Sequence, residues 1–172
     1  IDALDLASHH LDLAAWLMGK PPRSVTCDLL SRLTDDDTAV LQLEFPGGIP
    51  AQILAAFGGP ELHRFEILGE HGKLSVDPYG SDFVETRTAT LDRVRLDQFR
   101  GAARALASPR YWLRKAAGSH QLVSYRQALG CFVHGALAGR QPQPDLAAGC
   151  ATLAWLDAAR ESARDKRMVP VE

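Results

Sequence analysis

The sequence lacks several features that would assign a protein to a class at once. Its 172 residues contain no apolar run long enough to span a bilayer, and its net charge of −2 gives no excess of basic residues. Three cysteines are widely spaced without a CxxC pair, and an odd count of this kind predicts no disulfide framework. We therefore expect reduced thiols, a cytoplasmic location, and neither a membrane nor a nucleic acid as partner.

A further absence concerns dinucleotide binding. No GxGxxG turn follows a predicted strand, although that turn is the element that cradles the phosphates of such cofactors. We therefore assign no cofactor-binding residue to this chain. The sequence also begins at Ile1 rather than at methionine, and a helix follows at once. From this start we expect the chain to be a piece of a longer protein.

What the sequence does contain is enough apolar material, 46% of its residues, for one domain with a core over residues 1–172. Helical spacing predicts a first helix over residues 4–18, with Leu6, Leu13 and Leu17 on its apolar face. Alternating apolar residues then predict a meander of antiparallel strands. Its strands are expected over 25–33, 38–45, from 49, from 62, from 73 and from 82.

Helices are predicted again after the strands. Residues 91–118 resemble a basic helical insert, and two amphipathic helices follow, over about 120–138 and from the N-cap Asp145 to about Arg164. The tail "RMVPVE" is expected to add an edge strand. The fold class is therefore predicted to be α+β, a mostly antiparallel open sheet with helices packed on one face.

The stretch "DLASHHLDLAAWLMGK" places Asp5, His9 and Asp12 on one stripe of the first helix. A histidine can take and return a proton near neutral pH, and a carboxylate one turn earlier can fix its tautomer. The stripe therefore predicts a general base, His9, with its orienter, Asp5. Two alternatives stay open, a solvated ion pair at the helix N-terminus and a three-ligand metal site, although we predict no metal.

The same stretch resembles the start of the C-terminal domain of the Gfo/Idh/MocA oxidoreductases. The matching residues are Asp5, His9, Asp12, Trp16, Leu17, Gly19 and Val25. The resemblance continues through "DDDTAVLQLEFPGGIPAQILAAF", "FEILGEHGKLSVD" and "ARESARDKRMV". It implies a substrate-binding and oligomerising domain whose Rossmann half, with its Gly-rich turn and Glu-Lys-Pro lysine, is absent from this chain.

The resemblance implies a catalytic pair of His9 and Asp5 that also contacts the substrate. His9 would accept the hydroxyl proton of a sugar or polyol as hydride leaves for NAD or NADP, while Asp12 would be structural. His10 and Trp112 are weaker candidates for substrate contacts. Two other functions remain open: a non-catalytic binding or scaffolding domain of the same fold, and a metal-dependent hydrolase.

The predicted sheet also carries a candidate interface. Helices can cover one face only, and the other is expected to present Leu30, Val40, Leu54 and Leu68 among polar neighbours. The family resemblance implies pairing through such a face. We therefore expect a homo-oligomer that assembles through the sheet face.

Overall fold

The computed structural model describes residues 2–59, 63–77, 85–88, 120–141 and 143–171, and of 85–88 and 120–124 only the backbone. These residues divide into two compact units: unit 1, Ile1–Pro60 with Gln141–Glu172, and unit 2, Glu61–Arg140. The predicted insert at 91–118, which includes Trp112, lies outside the described residues.

The described helices and strands follow the predicted order. They are α1 (Ala3–Met18), β1 (Ser24–Leu30), β2 (Thr38–Phe45), β3 (Ile49–Ala56), β4 (Phe65–Gly69), β5 (Gly72–Val76), β6 (Glu85–Thr88), α2 (His120–Leu137), α3 (Leu146–Asp165) and β7 (Val169–Pro170). In unit 1 the sheet order is β3-β2-β1-β7, with every neighbouring pair antiparallel. The α+β class and the edge strand in the tail are thereby confirmed.

Helix α1 is bounded by residues that suit its two ends. The Asp2 carboxylate accepts the backbone N–H of Asp5 at 2.9 Å, and Gly19 ends the helix in the left-handed region at φ 63°. The buried residues are Ala3, Leu4, Ala7, Leu11, Ala14 and Ala15. The predicted apolar face was therefore wrong: Leu13 and Leu17 are exposed and Leu6 is half-buried.

The error in α1 has a steric reason. Four of the six buried positions are alanines, which carry little apolar surface and so give a weak signal in the sequence. In the fold they let the helix backbone lie close to β2, β3 and α3, the elements that it contacts. The spacing of the leucines alone therefore identifies residues that lie beside the buried stripe, and it does not identify the buried stripe itself.

The core of unit 1 lies between the two helices and one face of the sheet. Alternation along the strands buries Val25 and Cys27 of β1, Leu41, Leu43 and Phe45 of β2, and Ile53 of β3. Helix α3 contributes Trp155, Leu156 and Ala159 from the other side. Helices therefore cover one face of this sheet, as the alternation predicts.

The turn between β1 and β2 is organised by the buried carboxylate of Asp37. This carboxylate accepts the backbone N–H groups of Arg32 (3.0 Å), Leu33 and Thr34 (2.9 Å), and the hydroxyl of Thr38 (2.9 Å). The backbone hydrogen bonds, that of Leu33 foremost, lower the pKa of Asp37 to about 2. The turn therefore folds around a fixed negative charge.

Unit 2 contains a second antiparallel sheet, in the order β4-β5-β6. The described strands thus form two sheets, where the turn spacing predicted one meander, and Leu68 of β4 does not share a sheet with Leu54 of β3. Glu66 pairs with Lys73 across β4 and β5, and this contact lowers the pKa of the Glu66 carboxyl. Helix α2 has the predicted extent, and its apolar stripe is exposed at Tyr125, Leu129, Phe132, Val133 and Leu137.

Candidate functional site

The outward face of α1 carries the three ionisable side chains that the sequence places on one stripe. Asp5, His9 and Asp12 are all exposed, while the opposite stripe of the helix is buried against the sheet. Trp16 continues the same face and is 75% exposed. This face therefore carries three exposed ionisable side chains and ends at an exposed indole ring.

Asp5 finds its partner on α3, not on its own helix. Oδ1 of Asp5 lies 3.8 Å from Nη2 of Arg160, and the same nitrogen lies 3.5 Å from Oδ2 of Asp2. The first distance is that of an ion pair and is too long for a hydrogen bond. Arg160 also reaches Asp157, one turn earlier, at 3.4 Å. One guanidinium therefore gathers three carboxylates at the start of α1.

Asp12 contacts α3 at a second point. The hydroxyl of Thr152 lies 3.3 Å from Oδ1 of Asp12 and 3.1 Å from the carbonyl of Ala148, so that two acceptors share one proton. Because Asp5 meets Arg160 and Asp12 meets Thr152, α1 and α3 run antiparallel. His9 lies between these two points of contact along α1.

His9 itself makes no hydrogen bond or ion pair with any residue that the structure describes. The predicted bond from its ring to Asp5 is not formed in this arrangement, and the pairing stays a prediction. The neighbouring His10 differs, since it is half-buried and its Nδ1 lies 3.2 Å from the carbonyl oxygen of Leu6. Of the two histidines, His9 is therefore the one whose ring is open for chemistry.

The cysteines of the described residues form no part of a metal site. Within the described ranges no group of three His, Cys, Asp or Glu side chains is arranged to hold a metal ion. Cys27, Cys131 and Cys150 are free thiols, and burial, with Asp28 adding to it, raises the pKa of Cys27 to about 11. Cys27 is thus a protonated core residue at neutral pH.

Sequence comparison decides the family. Residues 3–172 match the C-terminal alpha/beta domain of the oxidoreductase family. The chain belongs to the Gfo/Idh/MocA oxidoreductases. Among curated proteins no sequence matches it. The described helices of this Gfo/Idh/MocA domain include none with both the length and the apolarity needed to cross a membrane.

Several solved structures of dehydrogenases share the fold of this chain. The WlbA dehydrogenase from Bordetella pertussis, solved with NADH and UDP-GlcNAcA, is 26% identical, with a TM-score of 0.63 over 97% of this chain and 46% of its own. Levoglucosan dehydrogenase, solved with NADH and levoglucosan, is 21% identical and has a TM-score of 0.68. The match covers 98% of this chain and 50% of the dehydrogenase. The myo-inositol 2-dehydrogenase of Lactobacillus plantarum is 18% identical and has a TM-score of 0.64. The match covers 99% of this chain and 49% of that enzyme. The chain therefore spans about half the length of these structures.

The sequence identified the residues on α1 but missed their partners on α3. Thr152 lies 140 positions after Asp12, and Arg160 lies 158 positions after Asp2. The pattern within one helix contains no information about a pairing at that distance. The only related signal in the sequence was the predicted amphipathic pattern of α3.

Proposed function

We propose that this chain is the substrate-binding, base-bearing half of an oxidoreductase that moves hydride between a CH–OH group of a sugar or polyol and NAD or NADP. His9 is the general base and Asp5 its orienter. The observation that carries the proposal is the exposed, unpaired ring of His9 on the family's Asp–His stripe, between two points where α3 fixes α1. The NADH-bound relatives support the class of reaction.

The chemistry divides between this chain and the cofactor. Oxidation removes a hydride from the carbon and a proton from its hydroxyl group, and the bound nicotinamide supplies the acceptor for the hydride. His9 takes the proton through the ring nitrogen that faces the substrate, while Asp5 receives a hydrogen bond from the other and stabilises the imidazolium. Reduction runs the same transfers in reverse.

The phosphates of the cofactor do not fit the helix ends of unit 1. A helix N-terminus binds phosphate through free backbone N–H groups and a positive dipole end. At α1 that place is taken by the Asp2 carboxylate, and at α3 by the Asp145 carboxylate, which accepts the N–H of Ala148 at 2.9 Å. Two negative caps disfavour a diphosphate at these two helix ends, and we propose that a part of the protein beyond this chain binds the cofactor.

A homo-oligomer completes the proposal. The outward face of the unit 1 sheet places Val40 directly opposite Leu54, and Leu54 is 69% exposed. Leu30 lies exposed on the same face, opposite Thr38, whereas Leu68 belongs to unit 2. We propose that the unit 1 face pairs with a second copy, in the cytoplasm.

A non-catalytic binding or scaffolding domain is the second candidate, because the only described partner of the Asp5 carboxylate is Arg160. One substitution separates the two functions. The complete protein is assayed with NAD⁺ and NADP⁺ on a panel that includes myo-inositol, levoglucosan and L-sorbose. For the best substrate, His9→Ala should lower kcat by about 10²–10⁴-fold and leave cofactor affinity nearly unchanged.

His10→Ala is the matched control, because its half-buried ring contacts its own helix; it should act on stability more than on turnover. If His10→Ala abolishes turnover while His9→Ala retains it, the base has been assigned to the wrong histidine. If neither substitution affects turnover on an active substrate, His9 is not the base and the stripe is a solvated ion pair.

A further inference from the structure

We propose that Arg160 is a positioning residue for the Asp5–His9 pair. It pairs with the Asp5 carboxylate from the neighbouring helix, and so competes for that carboxylate with the His9 ring whenever Asp5 and His9 form their pair. The kinetic part of this inference rests on the proposed function. The electrostatic part concerns this chain alone and can be tested without a substrate.

The place of Arg160 is fixed by more than Asp5. Its Nη2 lies 3.5 Å from Oδ2 of Asp2, and its Nη1 lies 3.4 Å from Oδ1 of Asp157. The other oxygen of Asp2 caps α1 through the N–H of Asp5 at 2.9 Å. The guanidinium is thus tied to the first turn of α1 on one side and to α3 on the other, with Asp5 at 3.8 Å between them.

One carboxylate can serve two cations. Two oxygens offer about four lone-pair directions, so Asp5 can face Arg160 and still accept a hydrogen bond from the His9 ring one turn later. A carboxylate shared in this way stabilises each cation less than an undivided one would. Removing the charge of Arg160 therefore removes the one ion-pair partner of the Asp5 carboxylate among the described residues, and leaves that carboxylate free to favour a protonated His9 ring.

Among the described residues, Arg160 is the one cation that pairs with an acidic side chain at the start of α1. The other titratable groups at this end of α1 include Asp2, Asp12 and His10 of the helix itself and Asp157 of α3. Asp36, in the β1–β2 turn, also lies at this end, since its backbone carbonyl accepts the N–H of Ala3. Strands β2 and β3, which also contact α1, turn buried apolar residues toward it. Apart from His10, those groups are anions.

The test is a pH titration of the His9 ring proton, followed by NMR in this 172-residue chain. In Arg160→Gln the midpoint should move to higher pH by about 0.2–0.7 unit, the range of an exposed ion pair. In an Asp5→Asn background the same substitution should move it no further. Arg160→Lys keeps the charge and should stay close to the original midpoint.

Arg164→Gln is the control, because Arg164 lies one turn later on α3 and pairs with Asp165. Circular dichroism confirms that each variant keeps its fold. A midpoint that stays in place or falls in Arg160→Gln overturns the inference. So does a shift of equal size in the Asp5→Asn background, since the charge would then act on His9 directly and not through Asp5.

In the complete protein the acidic limb of kcat/KM against pH should move in the same direction and by the same amount. If the acidic limb of the kcat/KM profile stays in place while the titration midpoint of His9 moves, the kinetic part of the inference is overturned. If His9→Ala retains full turnover, the proposed function fails, whereas the titration in this chain still decides the role of Arg160. The two failures are therefore distinguishable.

Discussion

The hydroxyl of Ser162 on α3 accepts the backbone N–H of Cys27 on β1 at 2.9 Å and donates to the carbonyl of Arg167 at 2.6 Å. Strand β7 pairs with β1 only at Ser24 and Val25, so the N–H of Cys27 lies just past the end of that pairing. One buried side chain thus completes the edge of the sheet where the last strand stops.

Replacing this hydroxyl should be costly. Ser162→Ala leaves a buried N–H and a carbonyl without their partner, and we expect it to lower the free energy of unfolding by about 1–3 kcal/mol. Urea denaturation followed by circular dichroism measures the change. Ser31→Ala is the control, since the Ser31 hydroxyl bonds the N–H of Asp36 at an exposed position where water can replace it. Equal losses for the two variants would contradict the role given to Ser162.

Asp37 predicts an acid dependence of stability. The pKa of Asp37 is lowered to about 2, so its stabilising contribution is complete above the unfolded value of about 3.9 and is lost as pH falls toward 2. Asp37→Asn should therefore lower the Tm at pH 7 by about 5 °C or more, and by much less near pH 2. Scanning calorimetry at both pH values tests this.

Asp35→Asn is the matched control for Asp37. Asp35 lies exposed in the same turn, and its replacement should leave the Tm nearly unchanged at either pH. A Tm difference between Asp37→Asn and the original chain that is constant from pH 7 to pH 2 would show that the charge of Asp37 is not what organises the turn.

The outward sheet face predicts how the protein assembles. Leu54→Lys introduces a charge opposite Val40 and should convert a dimer of the complete protein into a monomer at micromolar concentration. Light scattering after gel filtration gives the mass. Leu33→Lys changes an equally exposed leucine in the β1–β2 turn and should leave the dimer intact. A strictly monomeric original protein would falsify the proposed interface.

This chain alone should not bind a dinucleotide tightly. It carries no Gly-rich phosphate turn, and the N-termini of α1 and α3 are occupied by Asp2 and Asp145. Calorimetry with NAD and with NADP should show no saturable heat, while the complete protein binds one of them. Micromolar binding to the 172 residues would require a cofactor site within this chain.

Much of the fold of unit 1 could be predicted from local patterns. Alternation predicted the extent of β2 and the start of β3, and Asp145 predicted the start of α3, because each of these signals acts over a few residues. The buried face of α1 could not be predicted in the same way, since alanines bury it. The division of the strands into two sheets also depends on pairings that no single segment encodes.

The candidate site shows the same limit. Asp5, His9 and Asp12 share a helix, so their common stripe follows from helical geometry alone. Arg160 and Thr152 join them only through the packing of α3 against α1, over more than a hundred residues of chain. The sequence therefore identified the candidate base, but it did not identify the groups that hold its orienter.

Unit 1 consists of two separate segments of the chain, and this has a consequence for synthesis. Its first segment ends at Pro60 and its second begins at Gln141, so the ribosome makes all of unit 2 before α3 and β7 exist. Until then α1 has no Arg160 or Thr152 to meet, and β1 has a bare edge. A chain that stops within residues 61–140 would carry the candidate base on a helix that lacks its partner α3, beside a strand with an unpaired edge. Chaperones bind surfaces of this kind, and aggregation begins at them.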